Sequence, residues 1–275
     1  MGPGGAGGTA GGGATAGGGG TGGAPFGAVP SQGCGKGGRP STTNVPNTIV
    51  SFPQTYDGTR PMPLVFGLHG AGRTNEQFRT VDARSQGSAL ETHFVMAYVK
   101  SAGSGWVVNT DRARIDTAYT QILANYCIDT SRVFATGHSS GAQMIVQLLC
   151  AGESRFRAVA PVASSMYCQS WDPIPTLLIH GMNDTERAST NQDADGRKDL
   201  GPYLTSNGCD MTSTPSVSVA ACTSGSTQVN PGCVAYQGCD ATMIWCHHND
   251  PNYSNTNHGW PCFANTVMDA FFSAQ

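Results

Sequence analysis

Three residue types in this chain could do chemistry together: a serine between glycines, an aspartate just past a strand, and a late histidine. The serine lies in RVFATGHSSGAQMIVQLL, Arg132 to Leu149, where an apolar stretch runs into Gly137-His138-Ser139-Ser140-Gly141 and then into a helical pattern. A serine hydroxyl is a poor nucleophile unaided. It needs a general base, and the base needs a carboxylate to orient it. In a chain with 37 glycines the string GxSxG is weak by itself. Its setting between a strand and a helix is what a nucleophile elbow requires. The glycines have a steric reason, because side chains beside so tight a turn would strike neighbouring elements. The helix that follows points free N–H groups and the positive end of its dipole at developing negative charge.

This chemistry places its groups in the chain order serine, acid, histidine. Leu177-Leu178-Ile179-His180-Gly181-Met182-Asn183-Asp184 ends a buried strand and presents Asp184 in a short turn. The blander reading of Asp184 is a helix cap. Asp172, Asp193 and Asp195 are rivals for the acid that do not follow a strand in the same way. The base is expected at His258, in a loop before the last helix, with His248 as the rival and His247 beside it. A metal reading of His247, His248 and Asp250 finds no supporting spacing elsewhere. An oxyanion hole needs two backbone N–H donors. Ser140 supplies one and Ala71 the other, with Gly70 and Gly72 as alternatives. His69, His138 and His180 read as structural hydrogen-bonding residues, and His93 has no informative context.

The elements that must hold these groups alternate. Thr48–Phe52, Pro63–Leu68, Phe94–Val99, Val133–Thr136, Arg157–Pro161, Thr176–His180, Val217–Ala220 and Met243–Cys246 read as strands. Arg112–Tyr126 is helical, with Ile115, Tyr119, Ile122 and Tyr126 on one face. Ser140–Cys150 and Pro261–Phe272 are also predicted helices. The pattern predicts an α/β fold, a mostly parallel sheet with helices on both faces and ligand chemistry at the carboxyl ends of the strands.

Composition bounds the rest. Residues 1–33 are mostly glycine with Ala, Thr and Pro, and read as a flexible linker or tail; residues 34–275 fit one domain. The charged fraction is 12% and the net charge −3, which gives no basic footprint for nucleic acid. No apolar run reaches the roughly 20 residues a membrane span needs. Met1 is followed at once by Gly with no apolar leader, so the natural N-terminus is expected to lie elsewhere. Ten scattered cysteines, none in CxxC, predict a secreted, disulfide-bonded protein. Cys209 and Cys239, both in Gly-Cys-Asp turns, are the one pairing the sequence suggests.

With these residues in view, the chain resembles secreted feruloyl esterases of the polyhydroxybutyrate-depolymerase-like group within the α/β-hydrolases. The likeness covers residues 31–275. Its pieces are Ser31-Gln32-Gly33-Cys34-Gly35-Lys36, Pro63 to Gly70, Tyr126-Cys127-Ile128-Asp129-Thr130-Ser131-Arg132 running on to Gly137, His180-Gly181-x-x-Asp184, and His258-x-Trp260-Pro261. The resemblance implies hydrolysis of hydroxycinnamate esters of plant cell-wall polysaccharide by Ser139, His258 and Asp184 through an acyl-enzyme, with no metal or organic cofactor. Trp106, Trp171 and Trp260 would then be candidates for stacking on a feruloyl ring or a sugar; the plainer reading of each is a core or rim aromatic. A polyester depolymerase or an acetylxylan esterase would use the same scaffold. An inactive secreted binding module is a rival of another class. A monomer, tethered through its Gly-rich segment, is expected.

Overall fold

The computed structural model describes residues 1, 27–164, 168–184, 197–210, 215–251 and 257–275. Eleven strands are described: β1 (Thr48–Ser51), β2 (Met62–Leu68), β3 (Val95–Val99), β4 (Ile128–His138), β5 (Ala158–Val162), β6 (Thr176–Gly181), β7 (Ser216–Val217), β8 (Cys222–Ser224), β9 (Thr227–Val229), β10 (Gly232–Ala235) and β11 (Met243–His248). The helices are α1 (Asn75–Gln77), α2 (Ala89–His93), α3 (Val108–Asn125), α4 (Ser140–Cys150), α5 (Arg197–Ser206) and α6 (Ala264–Ser273), with a π-helical turn at Phe78–Asp82. Nine strands form one sheet in the order β1-β3-β2-β4-β5-β6-β11-β10-β7. The six from β3 to β11 pair in parallel, and antiparallel strands close both edges. This is the α/β-hydrolase arrangement, as the sequence predicts.

The parallel strands are continuous apolar runs because both their faces are covered. Period-two alternation divides them between two cores. Leu64, Phe66 and Leu68 face Ile115 and Ile122 of α3 and Met144, Ile145 and Leu148 of α4. Val65, Met96, Tyr98 and Phe134 pack with Val267, Met268 and Phe272 of α6 on the other side. Helix α3 begins four residues before the predicted Arg112. Asp111 accounts for the early start: it accepts the backbone N–H of Val107 and of Ala102.

The packed chain begins earlier than the predicted boundary at residue 34. Val29 N–H donates to Asp129, Ser31 Oγ–H to the Tyr126 carbonyl, and Gly33 N–H to the Leu123 carbonyl. Gly33 lies so close that a Cβ there would stand 2.2 Å from the Tyr126 nitrogen. All ten cysteines are paired: 34–127, 150–168, 209–239, 222–262 and 233–246. The suggested pair Cys209–Cys239 is among them. No helix among the described residues is long and apolar enough to cross a membrane.

Candidate active site

Ser139 lies between β4 and α4 with φ 51° and ψ −114°, a region an L side chain enters only when its surroundings impose it. The imposition is visible at the flanking glycines. A Cβ on Gly141 would stand 2.2 Å from the Leu68 carbonyl oxygen, and one on Gly137 would stand 2.8 Å from the Gly141 carbonyl carbon. The elbow is therefore wedged against the end of β2, and its hydroxyl projects beyond the carboxyl ends of the strands.

His258 meets it there. Its Nε2 is 2.9 Å from Ser139 Oγ, and its Nδ1 lies 2.9 and 2.8 Å from Oδ1 and Oδ2 of Asp184. A carboxylate only accepts, so Nδ1 carries the proton and Nε2 is left to accept from the serine hydroxyl. All three residues are buried. Burial would push the Asp184 carboxyl up, yet hydrogen bonds from His180 and His258, and their charge, hold it well below the usual carboxylate range. The arrangement can move a proton from Ser139 to His258 while Asp184 stabilises the resulting cation.

Neighbouring loops fix these groups. Gly181 lets the acid turn approach the base loop, since a Cβ there would lie 2.1 Å from the Asn257 carbonyl oxygen. The Asn257 amide joins the two loops, accepting from Asn183 N–H and donating to the Asp250 carbonyl. His138 donates from Nε2 to the His258 carbonyl at 2.7 Å, a tie from the elbow itself to the base. The sequence shows His138 as a structural residue but not its partner.

The rival groups make other contacts. His248 is buried, and its Nδ1 accepts from Asp250 N–H. Burial first, then the neighbouring His180, pushes its imidazole down to about 3, so it stays neutral inside the protein. Asp172 sits in the loop before β6, at the edge where the parallel strands begin. Asp193 and Asp195 lie outside the described residues.

Ser140 opens α4, so its N–H has no carbonyl within the helix. Ala71 N–H makes no hydrogen bond among the described residues. Both lie close to Gly105: a Cβ built there would be 3.1 Å from Ser140 Oγ and 3.9 Å from Ala71 Cβ. The loop after β2 is braced by the loop after β3. Gly72 N–H donates to the Ser104 carbonyl, Ser101 N–H to His69 Nε2, and the Trp106 indole to the His69 carbonyl. Trp106 N–H donates in turn to Ser140 Oγ.

The three tryptophans named as stacking candidates are placed differently from one another. Trp106 is 6% exposed and holds the loop after β2 through its indole bond to the His69 carbonyl. Trp260 is 7% exposed, packs edge-on against Phe78 at 5.3 Å and donates its indole N–H to Asn265. Trp171 precedes β6 rather than following a strand. It therefore lies at the opposite edge of the sheet, against Tyr203 at 5.0 Å and in a groove with Arg155 and Pro173.

Feruloyl esterase C of Emericella nidulans is 34% identical over 201 residues, covering 66% of this chain and 71% of that relative. This chain belongs to the feruloyl esterase family. The probable feruloyl esterase C of Aspergillus terreus is 36% identical over 174 residues, which span 56% of this chain and 62% of that relative's length. Feruloyl esterase D of Neurospora crassa is 28% identical over 265 residues, 84% of this chain and 86% of the relative. No protein-family profile matches the chain. Among solved structures, an acetyl xylan esterase from Aspergillus awamori superposes with a TM-score of 0.57 at 16% identity, over 85% of this chain and 98% of that one. That likeness is one of fold. Against this feruloyl esterase frame, Ser139, Asp184 and His258 occupy the elbow, the turn after β6 and the loop before α6.

Proposed function

We propose that the protein is a secreted serine esterase that cleaves hydroxycinnamate esters of plant cell-wall polysaccharide. The observation that carries this reading is the hydrogen-bonded line from Ser139 Oγ through His258 to Asp184 at 2.8–2.9 Å. The named relatives are feruloyl esterases, which supports the acyl group. Five disulfides support an oxidising compartment. In this reading the Gly-rich stretch before residue 27 is a tether and the packed chain is the catalytic domain.

His258 Nε2 takes the proton from Ser139 as Oγ attacks the ester carbonyl. Ser140 and Ala71 N–H groups receive the oxyanion of the tetrahedral intermediate. The carbon–oxygen bond to the sugar breaks, His258 gives its proton to the leaving alcohol, and the acid remains as an ester on Ser139. Water, deprotonated by His258, then releases the free acid and restores Ser139. Asp184 stabilises the imidazolium in both halves.

The test is turnover of methyl ferulate, p-nitrophenyl acetate and acetylated xylan by wild type and Ser139→Ala. Methyl ferulate hydrolysis that falls at least about a thousandfold in Ser139→Ala supports the proposal. Turnover of the acetyl esters alone would keep the nucleophile and replace the substrate. Equal activity in mutant and wild type would remove Ser139 from the mechanism.

A further inference from the structure

The carboxylate behind the base has a second imidazole on it. His180 ends β6, four residues before Asp184, and is 1% exposed. Its Nε2 stands 3.3 Å from Asp184 Oδ2, the same oxygen that lies 2.8 Å from His258 Nδ1. Because an ionised carboxylate only accepts, the His180 nitrogen that faces it, Nε2, is the one that carries the proton. The other nitrogen, Nδ1, is buried with no hydrogen-bond partner among the described residues. A buried ring nitrogen without a partner is costly, and a carboxylate in need of one more donor could take a backbone N–H more cheaply. Among the described residues, Asp184 is the charged group that the ring nitrogens of His180 approach.

The position fits a specific task. The carboxylate of a serine hydrolase must keep its plane aligned with the imidazole and must supply enough charge to stabilise the cation, but more charge makes the base harder to deprotonate. A donor on Oδ2 fixes the plane and withdraws part of that charge. Resting on the reading of Ser139, His258 and Asp184 as the catalytic groups, we propose that His180 is a positioning residue that moderates the charge Asp184 presents to His258 and so extends esterase activity to lower pH.

The groups that face this pair come from several elements. Asp184 and His258 lie on the loop side; His247 and His248 lie on β11, with His247 in register with His180 and His248 with Gly181. His138 on β4 reaches the His258 carbonyl, and Asp250 follows β11 with its N–H on His248. Strand β5, the other neighbour of β6, carries no titratable residue. His248 lies inside the same cluster and is held neutral by burial first and then by His180. Asp184 is therefore the anion that the described groups around His180 share.

The experiment compares kcat/KM against pH, from about pH 4 to 9, for wild type, His180→Gln, His180→Asn and His180→Met with p-nitrophenyl acetate. Glutamine can return an N–H near the Nε2 position, asparagine is too short, and methionine fills the space without a donor. The expected result is an acid limb that rises by about half a pH unit or more in the Asn and Met variants, with kcat lower and KM within about twofold. In His180→Gln the limb returns towards wild type. Should Met fail to fold, as judged by its melting curve, the Gln–Asn pair carries the comparison. Limbs that coincide in all folded variants, with activity lowered by one factor at every pH, would overturn the proposal and leave His180 a packing residue. Failure of the catalytic reading itself would show separately, as an active Ser139→Ala.

Discussion

His248 shows how this site keeps its charges apart at the scale of single residues. It is buried beside His180, its Nδ1 accepts from Asp250, and its ring packs edge-on against Phe263 at 5.9 Å. Protonation would put a cation into that space, so the folded protein pushes its imidazole from the usual 6.5 down to about 3. The unfolded chain binds the proton below about pH 6.5 and the folded chain does not. Stability therefore rises with pH across the window from about 3 to 6.5 and is lost as pH falls through it. Asp184 has the opposite chemistry but the same sign, since its depressed carboxyl contributes above the ordinary carboxylate value and is lost only at more acid pH. We predict that the melting temperature falls between pH 7 and pH 4 in wild type and that His248→Gln flattens this fall. An unchanged slope in the variant would mean that another group takes up the proton. At this scale the sequence is most legible where chain order carries the information. Ser139, Asp184 and His258 follow strand, strand and last loop in the order the fold demands. Position along the chain does not say which end of a strand a tryptophan serves: Trp171 precedes β6 and lies at the edge where the parallel strands begin. The tie from His138 to the His258 carbonyl spans 120 residues, and no local pattern announces it.

At the scale of elements, the turns at the sheet's carboxyl edge are precise only because other turns hold them. The loop from Ser101 to Val107 lies against the Ala71 loop, and Asp111 at the start of α3 gathers it. One Asp111 oxygen accepts Ala102 N–H at 2.6 Å and the other accepts Val107 N–H at 2.8 Å. Asp111 is 1% exposed, so water cannot replace it freely. Asp111→Ala should cost about 1–3 kcal/mol through the two abandoned donors. It should also lower kcat by about tenfold, since the proposed oxyanion donors would shift while the serine and histidine stay in place. Melting and p-nitrophenyl acetate turnover check both; a destabilised variant with full kcat would separate the loop from the oxyanion hole. The long elements here were readable because they repeat a pattern many times. Helix α4 occupies the predicted Ser140–Cys150, and the apolar runs of β2, β3, β5 and β6 are found within one or two residues of their predicted ends. The β8–β9 hairpin and β10 were not, since Cys-Thr-Ser, Thr-Gln-Val and Gly-Cys-Val-Ala are too short and too mixed to show alternation. Neighbouring strands and cross-links define them, not their own side chains.

For the whole molecule, cross-links do what charge does little of. Only 12% of residues are charged, and several ion pairs are substantially exposed, where each contributes little. The five disulfides are distributed unequally. Cys34–Cys127 closes a loop of 93 residues and fastens the first packed segment to the start of β4, the strand that ends at the elbow. Cys233–Cys246 closes a loop of 13 across two strands already hydrogen-bonded to each other. In the chain-entropy account, the long loop restricts the unfolded chain by about 4–5 kcal/mol and the short one by about 3. The long cross-link also fastens a segment whose hydrogen bonds run to the end of α3 and the start of β4, among them Ser31 on Tyr126 and Gly33 on Leu123. The double variant Cys34→Ser, Cys127→Ser should therefore melt well below Cys233→Ser, Cys246→Ser. Its loss should extend to activity near its melting temperature, because β4 carries Ser139 at its far end. Thermal melts of the two variants, each followed by turnover, decide the matter. If the short-loop variant is the weaker, stability resides in the antiparallel edge of the sheet rather than in the clamp at the start of β4.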